Sequence, residues 1–223
     1  MTGESSGRYE PSGQGTSDQQ ARRLPAVKAH IETGTAGALA AAARGDVLVL
    51  VDALRASVTI ASALFASASR VIPVLSVEEA MALRRRHDDI IMAGERGGAQ
   101  VSGFDWGNSP TQILAHRDEL RGRIVVLTTS NGTRCVHAAL QGGAAAILAG
   151  ALPNATVTAR AAWQTAHRLR RDITLLAAGL DDEPSEEDGF AARWLLQLLS
   201  EEFGVSHPFS HLEPPQPSHS TDI

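Results

Sequence analysis

Six short apolar runs along the middle of the chain constrain its fold more than any other feature. They are DVLVLVD (46–52), RVIPVL (70–75), DIIMA (89–93), IVVLT (124–128), AAILA (145–149) and ITLLAA (173–178). Most are continuous rather than alternating. Alternation leaves one face to water, whereas a continuous run suits a strand covered on both faces, as in a parallel sheet. The segments between carry helix-start chemistry. SVEE puts Ser76 at an N-cap with Glu79 three residues on; SPTQ repeats this with Ser109 and Gln112, and Pro110 takes the first helical position. Near the end Phe190, Trp194 and Leu198, with Leu195 and Leu199, make a helical stripe that reads as a core face. Strands alternating with helices predict an α/β fold, three layers (α/β/α) around a largely parallel or mixed sheet.

The chain also echoes itself. VLVLVDALRASVTIASAL (47–64) aligns without a gap over RIVVLTTSNGTRCVHAAL (123–140), which puts Asp52 on Thr128 and Ser57 on Thr133. Val71 and Ile72 then fall on Ile147 and Leu148, and MAGE (92–95) resembles AAGL (177–180). Two unrelated β-α-β units can look this alike. If the echo is a repeat, two related β-α-β-α-β halves face each other with a site between them.

Composition narrows the function classes. The 223 residues are 43% hydrophobic and 20% charged, enough for a sizeable core. The net charge is −5 with no Lys- or Arg-rich stripe, which argues against nucleic acid as a partner. Cys135 is the single cysteine, so no internal disulfide forms and a reducing compartment is the default. The N-terminal stretch lacks the apolar core of a signal peptide, and no run reaches membrane-spanning length. The expectation is a soluble cytoplasmic protein without a membrane partner; a homodimer stays open. Residues 1–22, rich in Gly, Ser and Gln, are expected to be disordered, 23–203 to form the α/β domain, and 204–223, rich in Pro, Ser and His, to be loose. In that last stretch His207, His211 and His219 read as solvated rather than metal-binding.

A polar motif follows five of the runs: DALRAS, GERGG, TTSNGT, GALPN and GLDDEPSEED. In open α/β sheets ligands bind beyond the strand C-termini, so these loops are expected to share one site. In TTSNGT, Asn131 and Gly132 are the residue types that most easily take a left-handed backbone, and Thr133 opens a helical segment. Amides converging there with the Ser130 and Thr133 hydroxyls would favour an anion such as phosphate. Acids crowd the same loops: Asp52, Glu95, Asp105, Asp181, Asp182, Glu183, Glu186, Glu187 and Asp188. Carboxylates beside a phosphate suit Mg²⁺; for Asp182, Glu183 and Glu186 a solvated turn and helix start, with Ser185 as the cap, explains as much. Arg55 and Arg96 stand next to these acids, either to clamp a second anionic group or to hold Asp52 and Glu95 in place. A phosphate-binding G-x-x-x-x-G-K-[ST] loop is absent, Gln141 stands where a cysteine phosphatase needs Arg, and Asp52 is not part of a D-x-D pair.

Taken in order, DALRAS, AGERGG, GFDWGNSP, TTSNGTR, GALPNA and PSEEDGFAA resemble the 2-phosphosulfolactate phosphatase family over about residues 46–195. Ala53, Ser57 and Trp106 depart mildly from its motifs, and SHPFSHLEPPQPSHSTDI stands where the family continues into another strand-like segment. The resemblance implies a Mg²⁺-dependent phosphoester hydrolase of α/β/α fold, associated with coenzyme M biosynthesis and acting on a small anionic substrate. It maps function onto Asp52, Arg55, Glu95, Arg96, Asn108, Asn131, Gly132, Thr133, Asn154 and Asp188. Mg²⁺ is expected on Asp52, Glu95 and Asp188, the Ser130–Thr133 loop on phosphate oxygens, and the two arginines on the sulfonate or carboxylate. Attack by water and attack by Asp52 both remain open. The rival expectations are a catalytically weakened relative that binds a small anion or a partner protein, and a lyase or transferase using the same cradle.

Overall fold

The computed structural model of the protein describes residues 26–208. In chain order they form β1 Ala29–Thr33, α1 Gly34–Arg44, β2 Val47–Val51, α2 Ala56–Phe65, β3 Arg70–Pro73, α3 Val77–Arg84, β4 Ile90–Arg96, β5 Ala99–Gln100, α4 Pro110–Ala115, α5 Arg117–Leu120, β6 Ile124–Thr128, α6 Gly132–Gln141, β7 Ala146–Gly150, a 3-10 turn at Leu152–Asn154, α7 Ala155–Leu169, β8 Ile173–Ala177 and α8 Glu186–Phe203. Every apolar run becomes a strand. β1 and β5 are additions: AHIET is a polar edge strand and AQ spans only two residues. The helix starts form as read, with Ser76, Ser109 and Ser185 each accepting from the amide three residues on.

The strands divide into two four-stranded sheets, ordered β1-β8-β2-β7 and β3-β6-β4-β5. All pairings are parallel except β4 with β5. This order explains the internal echo. The first half of the repeat is β2-α2-β3-α3-β4 and the second is β6-α6-β7-α7-β8. Each half sends its first strand into the other half's sheet: β2 lies between β8 and β7, and β6 between β3 and β4. The helices do not follow. α2 packs Ala63 and Ala66 against Ile91, Val125 and Leu127 of the second sheet, while α6 packs Val136 and Ala139 against Leu48 and Leu50 of the first. The chain therefore crosses between sheets twice, at residues 52–55 and 129–131.

The gapless alignment is off by one in the strands. Val47 pairs with Ala146, whereas Arg70, the equivalent of Ala146, pairs with Ile124. Val47 thus matches Ile124, and Asp52 matches Thr129 rather than Thr128. The first crossing loop is one residue longer, which restores the alignment at Ser57 and Thr133. Both hydroxyls close their loops alike, Ser57 accepting from the Asp52 amide and Thr133 from the Thr129 amide.

The first sheet is covered on both faces, and alternate residues of β2 serve opposite sides. Val47, Val49 and Val51 face α7 and α8; Leu48 and Leu50 face α1 and α6. On α8 the buried face is Ala191, Ala192, Leu195, Leu196 and Leu199, rotated from the stripe read in sequence. The alanines face Ala159 and Ala162 of α7, where small side chains let two helices approach, and Trp194 is left 39% exposed. Of the expected loose segment, residues 204–208 fall within the described part. Val205 is buried, and Ser206 exchanges backbone hydrogen bonds with Val27 and Ala29. The expectations for residues 1–22, His211 and His219 lie outside the described residues. No helix among the described residues is long and apolar enough to cross a membrane.

Candidate active site

The two crossings meet at a cleft of about 550 Å³ between the sheets. Four of the five polar loops converge there: those after β2, β4, β6 and β8, joined by Asn108 from the loop before α4. The loop after β7 lies beside the cleft rather than in it. Its Asn154 is spent on its own turn, accepting from the Ala151 amide (2.8 Å) and donating to the Ala149 carbonyl (3.0 Å).

Three buried carboxylates line the cleft, each tied to a different loop. Asp52 caps α2, taking the Ala56 amide on Oδ1 at 2.8 Å. Glu95, at the end of β4, accepts the Ser130 amide at 2.6 Å on Oε1, and the Gly98 amide at 2.8 Å and the Ser130 hydroxyl at 3.1 Å on Oε2. The turn that presents Gly98 needs its glycines, since Gly97 and Gly98 have φ of 58° and 83°, the left-handed pair of a tight hairpin. Asp188, in the first turn of α8, reaches across to the Ala53 amide (2.7 Å) and the Gly179 amide (2.9 Å). It thereby ties the first crossing loop to the end of β8.

Burial is the main electrostatic fact here. It raises the Asp52 carboxyl from an ordinary 3.8 to about 6, with the Asp188 and Glu95 charges adding to the rise and the Ala56 and Arg55 amides opposing it. Asp188 is raised by burial too, against the pull of the Ala53 and Gly179 amides. Asp182, by contrast, is held below the usual carboxylate range by the Thr35 amide and hydroxyl and by Arg134. Asp105 pairs with Arg84 and accepts the Met92 amide, so it is a structural acid as well. The Cys135 thiol is buried and pushed up to about 12, which leaves it inert as a nucleophile.

The other residues expected in the site separate into two groups. Arg55 lines the cleft and reaches the Gly98 carbonyl at 3.4 Å. Arg96 turns its guanidinium onto the carbonyls of Glu95 and Leu75 and the hydroxyl of Thr128, and is not part of the lining. Asn131 lines the cleft, with its carbonyl accepting from the Asp181 amide at 3.1 Å, which leaves its NH₂ group for another acceptor. The 130–133 loop leaves fewer donors free for an anion than the sequence suggests. The Ser130 amide goes to Glu95, and the Thr133 amide and hydroxyl close on Thr129. Neither Asn131 (φ −121°) nor Gly132 has a left-handed backbone. Gly132 is needed for proximity instead, because a Cβ there would stand 2.5 Å from Asp52 Oδ2. Sequence reasoning passed over Gly98 and read Asp181 only as an acid, whereas their amides bond Glu95 and Asn131; the paired glycines of GERGG were the available signal for the first.

Oxygen donors dominate: three carboxylates and Asn108, whose Oδ1 is buried and accepts no hydrogen bond. Such a set fits a hard divalent cation. Among the described residues no three His, Cys, Asp or Glu side chains close into a metal cage.

Comparison with known proteins bears on this site. The family model described as 2-phosphosulpholactate phosphatase matches residues 35–210. A protein of Carboxydothermus hydrogenoformans named probable 2-phosphosulfolactate phosphatase is 36% identical over 160 residues, 72% of this chain and 63% of that one. Proteins of the same name from Deinococcus radiodurans and Thermus thermophilus are 37% and 36% identical over 154 residues, 69% of this chain and 62% of each of theirs. The matches thus span somewhat less than two thirds of these relatives.

Proposed function

The chain belongs to the 2-phosphosulfolactate phosphatase family, and from that premise we propose that it is a Mg²⁺-dependent phosphatase of a small phosphorylated 2-hydroxy acid. The observation that carries this reading is Asp52: a carboxylate buried beside Asp188 and Glu95, in a cleft where the Asn108 carbonyl has no partner. A fold keeps such an arrangement at a cost in stability, and it does so where chemistry needs it.

Glu95, Asp188 and Asn108 would hold the ion, with Asp52 beside it; when bound it would offset the charge gathering on the phosphoryl oxygens. Arg55 at the mouth takes the carboxylate or sulfonate of the substrate. The Asn131 NH₂ group donates to a phosphate oxygen. Water attacks phosphorus in line, its proton passing to Asp52 as the new O–P bond forms and the ester P–O bond breaks. Asp52 then returns that proton to the departing alkoxide. Ser130 and Gly98 do not touch substrate; they hold Glu95.

Phosphate release from a panel of phosphorylated 2-hydroxy acids tests the proposal. Turnover of at least one, lost in Asp52→Asn while the variant stays folded, is expected. A folded Asp52→Asn enzyme with undiminished turnover would remove Asp52 from the chemistry.

A further inference from the structure

Beside the cleft lies a second, larger concavity of about 1010 Å³. The two share walls at Leu54, Pro184 and Glu187, so a molecule seated in one extends into the other without leaving the surface. Their chemistry differs. The cleft is lined by carboxylates, amides and Arg55; the second groove is lined mostly by apolar side chains, among them Val58, Leu152, Pro153 and Phe190. Leu54 and Leu152 remain 72% and 48% exposed there. A single exposed leucine needs no explanation, but a contiguous apolar concavity abutting a polar cleft does.

Resting on the phosphatase reading, we infer that this groove receives an apolar arm of the substrate. The substrate class is then a phosphorylated 2-hydroxy acid whose side chain is aromatic or branched-aliphatic. Continuity supports this, because the cleft passes into the groove across Leu54, Pro184, Ser185 and Glu187. Chemistry supports it too. With the phosphate on the carboxylate side and the carboxylate at Arg55, the remaining substituent faces Leu54, and beyond Leu54 the lining is mostly apolar, with Glu186 and Glu187 as its acids. A sulfonate carried into that lining meets the Glu186 and Glu187 carboxylates and one cation, the exposed Arg193. An apolar side chain is desolvated there against Leu54, Val58, Leu152 and Phe190. The loop that builds this wall is the fifth polar loop, GALPN, whose Asn154 holds Leu152 and Pro153 in place by closing the turn over Ala149 and Ala151.

The test compares phosphate release from O-phospho-3-phenyllactate and O-phospholactate, using the parent, Leu152→Glu and Leu152→Trp. The phenyl ester is expected to be favoured about 10- to 100-fold in kcat/KM, the usual worth of a filled apolar pocket. Both variants should cut that ratio about tenfold, one by charging the groove and the other by filling it. Equal kcat/KM for the two esters, or a ratio that neither folded variant changes, overturns the inference while leaving the phosphatase reading intact. If no ester is turned over, the phosphatase reading fails instead. The groove is then read by calorimetry with 3-phenyllactate: binding weakened about tenfold by Leu152→Glu upholds it, and no binding overturns it. A dimer in light scattering that Leu152→Glu converts to monomer would also overturn it, by showing that a second copy covers the groove.

Discussion

Gly132 and Asp52 touch where the two crossings pass each other: a Cβ on the glycine would stand 2.5 Å from Asp52 Oδ2 and 2.9 Å from Ala56 Cβ. The contact joins the N-terminus of α6 to that of α2, and so one half of the repeat to the other. It also fixes the least solvated face of the acid on which the proposed chemistry turns.

Gly132→Ala is therefore expected to destabilise the fold by overpacking, by about 1–3 kcal/mol. For a domain of this size that lowers the melting temperature by roughly 2–10 °C. Because the added methyl presses on Asp52, turnover should fall with it. A circular dichroism melt coincident with the parent's would show that the crossing has room to spare.

Asp52 should make stability depend on pH in an unusual direction. Its carboxyl holds a proton to about pH 6 when folded and to about 3.8 in its ordinary state. Between those values the native state binds more protons than the unfolded chain, so stability falls as pH rises, and above about 6 the cost is complete. The difference corresponds to on the order of 3 kcal/mol. Asp52→Asn removes it. In chelator-treated protein the variant should melt higher than the parent at pH 8 and close to it at pH 4. A variant less stable than the parent at pH 8 would contradict the sign.

The two arginines that look equivalent in sequence should behave differently. Arg55→Ala is expected to raise KM with little change in melting temperature, since the hydrogen bond it donates to the Gly98 carbonyl is long, at 3.4 Å. Arg96→Ala removes the guanidinium that donates to the carbonyls of Glu95 and Leu75 and to the Thr128 hydroxyl. It should cost stability, about 1–3 kcal/mol. Steady-state kinetics and a melt on both variants separate the roles; an Arg96 variant that is fully stable but has a raised KM would reverse the assignment.

Glu95→Gln looks mild on paper because the side chains are nearly the same shape. Both Glu95 oxygens, however, accept hydrogen bonds, three in all. An amide NH₂ would face the Ser130 amide or the donors from Gly98 and Ser130. Loss of stability of about 1–3 kcal/mol is expected alongside any loss of metal affinity. A thermal melt unchanged from the parent's would mean that the loop re-forms around the amide.

Much of this was legible in the sequence because it rests on local chemistry. The continuous runs marked the buried strands, the caps at Ser76, Ser109 and Ser185 marked helix starts, and the acids after β2 and β4 marked the cleft. What escaped depends on pairing between distant segments. Nothing in VLVLV states that β2 will lie between β7 and β8 rather than beside β3, and that exchange is what creates the crossing. Gly132 read as a turn residue because its neighbour across the crossing, Asp52, is 80 positions away. Arg55 and Arg96 each follow an acid closely, yet only three-dimensional packing decides which guanidinium finds carbonyls to bind. Asn154 sits in a matching motif but is consumed by its own turn, a distinction that motif order does not encode.

Phosphate release from 2-phospho-3-sulfolactate, or from the best ester found, after exhaustive chelation and then during Mg²⁺ titration, is the most direct measurement of the proposed chemistry. No turnover in chelator, full recovery with Mg²⁺, and a weaker apparent Mg²⁺ affinity in a folded Asp188→Asn variant are expected. Full turnover in the absence of any divalent ion would contradict the proposal.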